Sequence, residues 1–127
     1  MIIAGSAAPA YLTPFTDGEH DAVADTTKEK GGSGGGFWPH TLLEAALATC
    51  INITLRKYAD KHAIPLSAAS TKVKLDRSRP EEVVFGYEVE LQGNLTQPQQ
   101  EALLKVAGDC PVKQTLLKRI SFKYGVE

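Results

Sequence analysis

An apolar segment from residue 38 to residue 62 constrains the fold most, because it carries the pattern of one long helix. Pro39 suits a first helical turn, and the Ile64-Pro65 pair marks the end. Apolar side chains occupy nearly every face of the segment, which predicts a helix buried on all sides. About 24 residues would span ~36 Å, roughly the diameter of a small domain. A chain of 127 residues is too small to bury such a helix easily, so we expect a second subunit to cover part of it.

The N-terminal part of the chain predicts a small sheet followed by a loop. Residues 1–30 read as short strands, with a turn signal at Asp17-Gly18. The stretch "GGSGGGF", residues 31–37, lacks the Gly-Lys-Ser/Thr of a phosphate loop and follows no hydrophobic strand. We interpret it as a flexible connector or a substrate-gating loop.

Residues 68–127 predict a hairpin, two helices and a closing strand. Alternating apolar residues on both sides of "RSRPEE" indicate the hairpin. Thr96 and Gln99 have capping-box spacing at the start of one helix, and Asp109 is placed to cap a shorter one. The closing strand should direct three alternating side chains inward: Ile120, Phe122 and Tyr124. The order of elements, without βαβ alternation, predicts a single α+β domain over residues 1–127.

Charge and composition exclude several classes of protein. Fourteen basic and fifteen acidic side chains give a net charge of −1, with no basic run suited to nucleic acid or an anionic membrane. The first basic residue is Lys28, so the N-terminus does not resemble a secretory signal, and no apolar run is long enough to span a bilayer. We therefore expect a cytoplasmic protein, in which two cysteines are more often thiols than a structural bridge.

Cys110, in the sequence "GDCPVKQTL", is one of two candidate reactive thiols. At the first position of a helix, a cysteine meets unpaired backbone N–H groups and the positive end of the helix dipole, which favour its thiolate. Lys113 would assist this effect and Asp109 would oppose it, while Pro111 costs nothing at a helix start. The arrangement predicts an accessible, moderately activated sulfur.

The other cysteine, Cys50, lies within the long apolar helix. Its apolar and neutral neighbours would disfavour a charged sulfur, so reactivity requires a cation or a strong donor from another part of the fold or from a partner subunit. The alternative for both cysteines is a role as small buried hydrophobic residues. Residue chemistry alone leaves that choice open.

The stretch "GGSGGGFWPHTLLEAALATCINITLRKYADKHAIPL", followed later by "DCPVKQTL", resembles the OsmC/Ohr family of osmotically induced and organic hydroperoxide resistance proteins. The similarity lies in a small-residue helix that contains Ala-Thr-Cys, a long spacer, and Cys-Pro-Val before Thr-Leu. It implies an OsmC-like fold in which antiparallel sheets pack around a long central helix. It also implies an intertwined homodimer with both thiols near the subunit interface.

The resemblance implies a cofactor-free thiol peroxidase. Cys50 would attack the terminal oxygen of an organic hydroperoxide and become a sulfenic acid, and Cys110 would condense with it to form a disulfide. An external dithiol, lipoyl-linked in the relatives that are understood, would restore both thiols. The general oxidation chemistry of cysteine permits this cycle, and the apolar surroundings of Cys50 suit a fatty or aromatic peroxide.

Two positions differ from the well-understood peroxidase branch, in which an N-terminal arginine and a glutamate ten residues before the first cysteine hold the thiolate. Here the first arginine is Arg56, and His40 takes the place of the glutamate. The chain is therefore nearer the less characterised OsmC-like branch. This difference motivates a second hypothesis, a non-enzymatic dimer that binds a small apolar ligand at the subunit interface. A third, general disulfide exchange, is weaker because the thiols do not form Cys-x-x-Cys.

Other side chains are assigned supporting roles. His40, Glu44 and Lys113 are candidates for orienting the site, although a solvent-exposed helix start for His40 and an interface ion pair for Glu44 are the alternatives. Apolar side chains are candidates for the substrate pocket: Phe37, Trp38 and Leu47. No His or Cys pair has the spacing of metal ligands, so no metal is expected.

Overall fold

A computed structural model of the protein describes residues 1–126 and shows an α+β fold, as predicted. The chain forms two compact units, one of residues Met1–Glu44 and one that begins at Ala45. In chain order, the elements are β1 (Ile3–Ala4), β2 (Thr13–Thr16), β3 (Asp21–Ala24), α1 (Pro39–Lys61), β4 (Leu66–Asp76), β5 (Val84–Gly93), α2 (Gln97–Ala107) and α3 (Pro111–Leu116). One turn of 3-10 helix, Lys28–Lys30, follows β3.

The N-terminal unit contains an antiparallel sheet in the order β1-β2-β3. The turn between β2 and β3 lies where the sequence predicts it. Asp17 Oδ1 accepts hydrogen bonds from the backbone N–H groups of Glu19 and His20, and Gly18 adopts a φ of 101° that other residues rarely adopt. The local chemistry of Asp-Gly therefore fixes this hairpin.

The glycine-rich loop is folded around the carboxylate of Asp25, which is only 3% exposed. Asp25 Oδ2 accepts hydrogen bonds from the backbone N–H groups of Ser33 and Gly35 and from the Ser33 hydroxyl. Phe37 then pairs with Ala24 in a parallel bridge. The interpretation of this stretch as a flexible connector is wrong, because a buried carboxylate requires donors and the loop supplies them.

The C-terminal unit packs one stripe of α1 into its core. The stripe repeats every four residues and consists of Leu47, Ile51, Leu55 and Ala59. Residues of the β4-β5 hairpin and of α2 cover it. On another face of α1, Ile53 is 56% exposed. A single copy therefore covers one stripe of α1, and burial of its other faces by a second subunit stays a prediction.

The β4-β5 pair is an antiparallel hairpin, as the alternating pattern predicts. Its register runs from Leu66 opposite Gly93 to Asp76 opposite Val84, with an irregularity near Leu66. Alternate side chains of the hairpin pack against the core, among them Ala69, Val73, Phe85, Val89 and Leu91. The hairpin thus shields the buried stripe of α1.

Helix α2 begins with the predicted capping box. The Thr96 hydroxyl accepts from the Gln99 N–H, while the Gln99 side chain accepts from the Thr96 N–H. Helix α3 differs from the prediction, because its N-cap is Cys110 and no side chain caps it. The carboxylate of Asp109 instead accepts a hydrogen bond from the Gln114 side chain at 3.2 Å.

The predicted closing strand is absent from the described residues after α3. Residues 119–126 form no bridge with another strand, and Ile120, Phe122 and Tyr124 are exposed rather than directed inward. Alternation of apolar residues makes a segment suited to a sheet, but a strand forms only beside a partner with free backbone groups. Within residues 1–126, no helix has both the length and the apolar character needed to cross a membrane.

Candidate active site

The two cysteines, distant in sequence, meet within the C-terminal unit. Cys50 lies in the middle of α1, and Cys110 is the residue from which α3 begins. The Cys50 side chain lies close enough to Cys110 to affect its pKa, and the Val112 backbone N–H donates to Cys50 Sγ at 3.5 Å. Both residues are free thiols. The start of α3 therefore brings the second sulfur and a backbone donor to the first.

The two thiols differ in exposure. Cys50 is half-buried, whereas Cys110 is completely buried. Burial raises the pKa of the Cys110 thiol; the hydrogen bond and charge of Cys50 raise it further, while the N–H groups of Lys113 and Val112 act in the opposite direction. The prediction of an accessible, activated Cys110 is wrong, because α3 packs its first residue into the core and desolvation disfavours the thiolate.

Cys50 borders an open pocket of ≈ 720 Å³ between α1 and the start of α3. Its walls are mainly apolar, and charged side chains stand among the remaining lining residues. The lining consists of Ala46, Thr49, Cys50, Ile53, Thr54, Lys57, Tyr58, Lys61, Val106, Asp109, Pro111, Val112 and Gln114. A small apolar molecule would therefore reach Cys50 before it reached Cys110.

Two of the other predicted site residues belong to the same unit as the cysteines but do not line the pocket. Leu47 is only 4% exposed and packs in the core. The Lys113 ammonium donates a hydrogen bond to the Gly108 carbonyl. Lys113 thus stabilises the turn between α2 and α3 through its side chain.

The remaining predicted site residues, Phe37, Trp38, His40 and Glu44, lie in the N-terminal unit. The Trp38 ring contacts the His40 ring, with centroids 4.6 Å apart, and the Lys30 ammonium lies 5.1 Å from the Trp38 centroid. Trp38 also lines a cavity of ≈ 440 Å³ within that unit. Phe37 is 52% exposed.

Sequence reasoning missed three features near Cys50: the Val112 N–H and the side chains of Lys57 and Lys61. The lysines follow Cys50 by seven and eleven residues, so helical periodicity places all three on one face and was the available signal. The Val112 donor is a backbone group and depends on tertiary packing, so no side chain signals it. Across residues 1–126, no three His, Cys, Asp or Glu side chains cluster as metal ligands would.

Comparison with known proteins identifies the family. The model of the OsmC-like protein family matches residues 32–125. An organic hydroperoxide resistance protein OsmC from Legionella pneumophila is 25% identical, with a TM-score of 0.66 over 92% of this chain and 88% of that chain. An OsmC-like protein from Mycoplasma pneumoniae is 18% identical, with a TM-score of 0.76 over 91% and 85%.

A third solved structure shares the fold. The organic hydroperoxide resistance protein OhrB of Bacillus subtilis is 19% identical, with a TM-score of 0.61 over 92% of this chain and 89% of that chain. No curated protein sequence matches the chain significantly. The match to the family model covers well over half of the residues, and the structures confirm the OsmC-like fold that the sequence predicts. The chain belongs to the OsmC-like protein family.

Proposed function

We propose that the protein is a cysteine-based peroxidase that reduces organic hydroperoxides, with Cys50 as the nucleophile and Cys110 as the resolving thiol. One observation carries the proposal: a half-buried thiol at an open apolar pocket packs against the core cluster that contains a fully buried second thiol. Membership of the OsmC-like family and similarity to the Legionella pneumophila organic hydroperoxide resistance protein support the same chemistry.

In the first step, the Cys50 thiolate attacks the terminal oxygen of the hydroperoxide. The O–O bond breaks, the alkoxide leaves and takes up a proton as an alcohol, and Cys50 becomes a sulfenic acid. The Val112 N–H donates to Cys50 Sγ, and a hydrogen bond to sulfur stabilises negative charge there. This donor comes from the backbone and would act in place of a charged partner.

In the second step, Cys110 attacks the sulfenic sulfur, a disulfide forms and water leaves. The raised pKa of Cys110 favours its neutral thiol form before the first step. Oxidation makes Cys50 a neutral sulfenic acid and removes the part of the pKa increase that comes from its charge. Cys110 is therefore easier to ionise after the first step than before it. Cys50 should thus react first, and Cys110 second.

In the third step, an external dithiol donates two electrons and two protons, which returns both cysteines to thiols and leaves the reductant as a disulfide. A lipoyl-linked dithiol is the reductant that the family resemblance suggests. The active species in this proposal is a homodimer in the cytoplasm, without a bound cofactor.

The cysteine variants test the proposal. Reduced protein mixed with cumene hydroperoxide should lose two free thiols per chain as the hydroperoxide is consumed. Cys50→Ser should reduce consumption to the background rate, because the nucleophile is gone. Cys110→Ser should form a sulfenic acid with about one equivalent of hydroperoxide, and excess hydroperoxide should oxidise it further to a sulfinic acid.

Mass spectrometry of the intact chain distinguishes these products. Wild type should lose two mass units, the signature of a disulfide, and Cys110→Ser should gain one oxygen atom and then more. Unchanged thiols and undiminished hydroperoxide in the wild type would refute the peroxidase.

A second candidate function is non-enzymatic binding of a small apolar ligand by a dimer. The pocket beside Cys50 favours it, since the lining is largely apolar and no arginine occurs among the described residues that form it. Native mass spectrometry of the purified protein should then reveal a retained ligand. Rapid thiol turnover without any retained ligand would contradict this candidate.

A further inference from the structure

Two consecutive side chains of α3 reach back to the turn that joins α2 to α3. The Lys113 ammonium donates a hydrogen bond to the Gly108 carbonyl. The Gln114 amide donates to the backbone carbonyl of Asp109 at 3.4 Å and to its carboxylate at 3.2 Å. We refer to these contacts of Lys113 and Gln114 as the clasp. The residues that it joins lie on both sides of Cys110 in the chain, so the clasp closes a short loop that contains the second thiol.

Helix α3 is held to the rest of the C-terminal unit mainly through its start. The helix is six residues long, and a helix this short is marginal in water by itself. Its residues, Pro111–Leu116, are all at least partly exposed. The N-cap, Cys110, is completely buried, and Val112 beside it packs against the core. The anchors of α3 are therefore the packing at its start and the clasp.

The turn to which the clasp binds is closely packed. Gly108 is the C-cap of α2, and its N–H donates to the Leu104 carbonyl. A Cβ at Gly108 would lie 3.0 Å from the hydroxyl oxygen of Tyr87 on β5, so the backbone of the turn lies against the hairpin. The clasp therefore connects α3 to a turn that α2 and β5 hold in place.

Part of this geometry has a structural explanation. A cation beside the last carbonyls of a helix interacts favourably with that end, so Lys113 also caps α2. A cap of this kind requires no particular position of the residues between the two helices. Yet the Val112 N–H donates to Cys50 Sγ, and Cys110 belongs to the core cluster against which Cys50 packs. The capping role leaves this placement of both groups against one sulfur unexplained.

We propose that Lys113 is a positioning residue, which keeps Cys110 buried against Cys50. A sulfenic acid on Cys50 is then captured by Cys110 before a second molecule of hydroperoxide reaches it. Gln114 assists from the same helix. This inference rests on the proposed function, because it assigns a residue to the second step of that reaction.

The sulfenic acid has two fates, and the clasp acts on the choice between them. In the first, the Cys110 sulfur attacks the Cys50 sulfur, the S–O bond breaks, and the hydroxyl leaves as water with the proton of the Cys110 thiol. In the second, another hydroperoxide transfers an oxygen atom to the sulfenic sulfur, which gives a sulfinic acid and an alcohol. Without the clasp, the start of α3 would open more often, and the second fate would gain.

Competition between these fates tests the proposal. Intact-protein mass spectrometry measures disulfide against sulfinic acid over a range of cumene hydroperoxide concentrations. In Lys113→Met, the concentration that gives equal amounts should fall about tenfold, the effect expected for loss of a hydrogen bond from a charged group. The ratio of products starts from the sulfenic acid, so it does not depend on the rate of the first step.

Two further variants serve as controls for Lys113→Met, which keeps the apolar stem of the lysine. Lys113→Arg keeps a charged donor and should restore the wild-type ratio of products. Lys118→Met removes an exposed lysine just after α3 and should leave the ratio unchanged.

A second measurement requires no hydroperoxide. Alkylation of Cys110 by iodoacetamide in the reduced protein, located by peptide mass spectrometry, should be about tenfold faster in Lys113→Met than in wild type. The reason is that the buried thiol becomes accessible when the start of α3 opens. This rate should stay constant at low urea, because a local opening exposes little surface, whereas alkylation through global unfolding would rise steeply with urea.

The two measurements separate the positioning role from the peroxidase. Faster alkylation of Cys110 in Lys113→Met, in a protein that consumes no hydroperoxide, would refute the peroxidase and support the role of Lys113. A ratio of products that Lys113→Met leaves unchanged would overturn the inference. Alkylation of Cys110 that is equally slow in wild type and Lys113→Met, or that increases only through global unfolding, would also overturn it.

Discussion

Asp25 is a buried carboxylate that organises the glycine-rich loop through four accepted hydrogen bonds. The hydrogen bond from the Ser33 side chain is the main cause that lowers its pKa, and the backbone donors of Gly35, Thr26 and Ser33 add to it against the effect of burial. Each donor stabilises the charged form more than the protonated form. The loop and the ionised carboxylate therefore stabilise each other.

We expect this site to contribute a pH-dependent part of the free energy of unfolding. Because the folded-state pKa of Asp25 is lowered, its stabilisation is complete above the unfolded-state pKa and is lost as pH falls through the folded-state pKa. Ser33→Ala, which removes the main donor, should be less stable than wild type near neutral pH and lose that difference in acid. Urea unfolding midpoints between about pH 6 and pH 3 measure the effect.

Asp25→Asn and Asp21→Asn form a matched pair for the same measurement. In Asp25→Asn, the side-chain amide would meet donors where the carboxylate accepted them, so this variant should be destabilised near neutral pH. Asp21 is exposed on β3 and serves as the control. Equal pH profiles for wild type, Ser33→Ala and Asp25→Asn would contradict the role of Asp25.

Among single residues, the sequence predicted the two cysteines as the site but not their exposures. Exposure of Cys110 depends on how α3 packs, which the local motif Cys-Pro-Val does not encode. Apart from the position of Asp25 before the glycine-rich loop, no sequence pattern indicated that its carboxylate would be charged. Its partners are mainly backbone N–H groups, which a list of side chains does not reveal.

At the level of elements, α2 presents two leucines with opposite surroundings. Leu103 is completely buried in the core, whereas its neighbour Leu104 is 48% exposed. Leu103→Ala should lower the free energy of unfolding by about 2–5 kcal/mol, the cost of lost burial and a cavity. Leu104→Ala should lower it by less than about 1 kcal/mol. Urea denaturation measures both, and similar losses would mean that α2 packs with a different face inward.

The glycine-rich loop passes so close to β3 that a side chain would collide. A Cβ at Gly36 would lie 2.4 Å from the Val23 carbonyl oxygen, whereas a Cβ at Gly5 meets nothing within 4 Å. Gly36→Ala should therefore cost about 1–3 kcal/mol, since backbone must move, and Gly5→Ala should stay within about 0.5 kcal/mol. Thermal unfolding of the two variants tests whether the loop lies this close to β3. An effect at Gly36 as small as that at Gly5 would exclude such a close contact.

Elements with local signals were predicted well. Helix α1 occupies Pro39–Lys61, close to the predicted residues 38–62, because an apolar run between prolines specifies a helix by itself. The capping box of α2 and the Asp17-Gly18 turn are equally local. The prediction of a closing strand was wrong because alternating apolar residues indicate a segment suited to a sheet but do not specify the strand with which it pairs.

For the whole molecule, the uncovered apolar surface of the C-terminal unit indicates a second copy. Ile53 on α1 is 56% exposed, and the segment after α3 exposes large apolar side chains throughout: Leu117, Ile120, Phe122, Tyr124 and Val126. Large apolar side chains that are exposed along a whole segment are typical of an interaction surface. A second copy with twofold symmetry would cover these residues and would offer the segment 119–126 a strand to pair with.

We therefore expect a homodimer in solution that single substitutions weaken. Phe122 is 95% exposed, so Phe122→Glu should leave the folded chain intact but remove about 1.5–3 kcal/mol of apolar burial per copy from the interface. Twofold symmetry doubles that loss, and Kd for the dimer should rise about 100-fold or more. Sedimentation equilibrium measures Kd, with circular dichroism to verify folding. The control Ser121→Glu adds the same charge at the neighbouring exposed position and should have a much smaller effect on Kd. A monomeric wild type would show that no surface joins the subunits. A Kd that neither Phe122→Glu nor Ile53→Glu changes would show that another surface joins them.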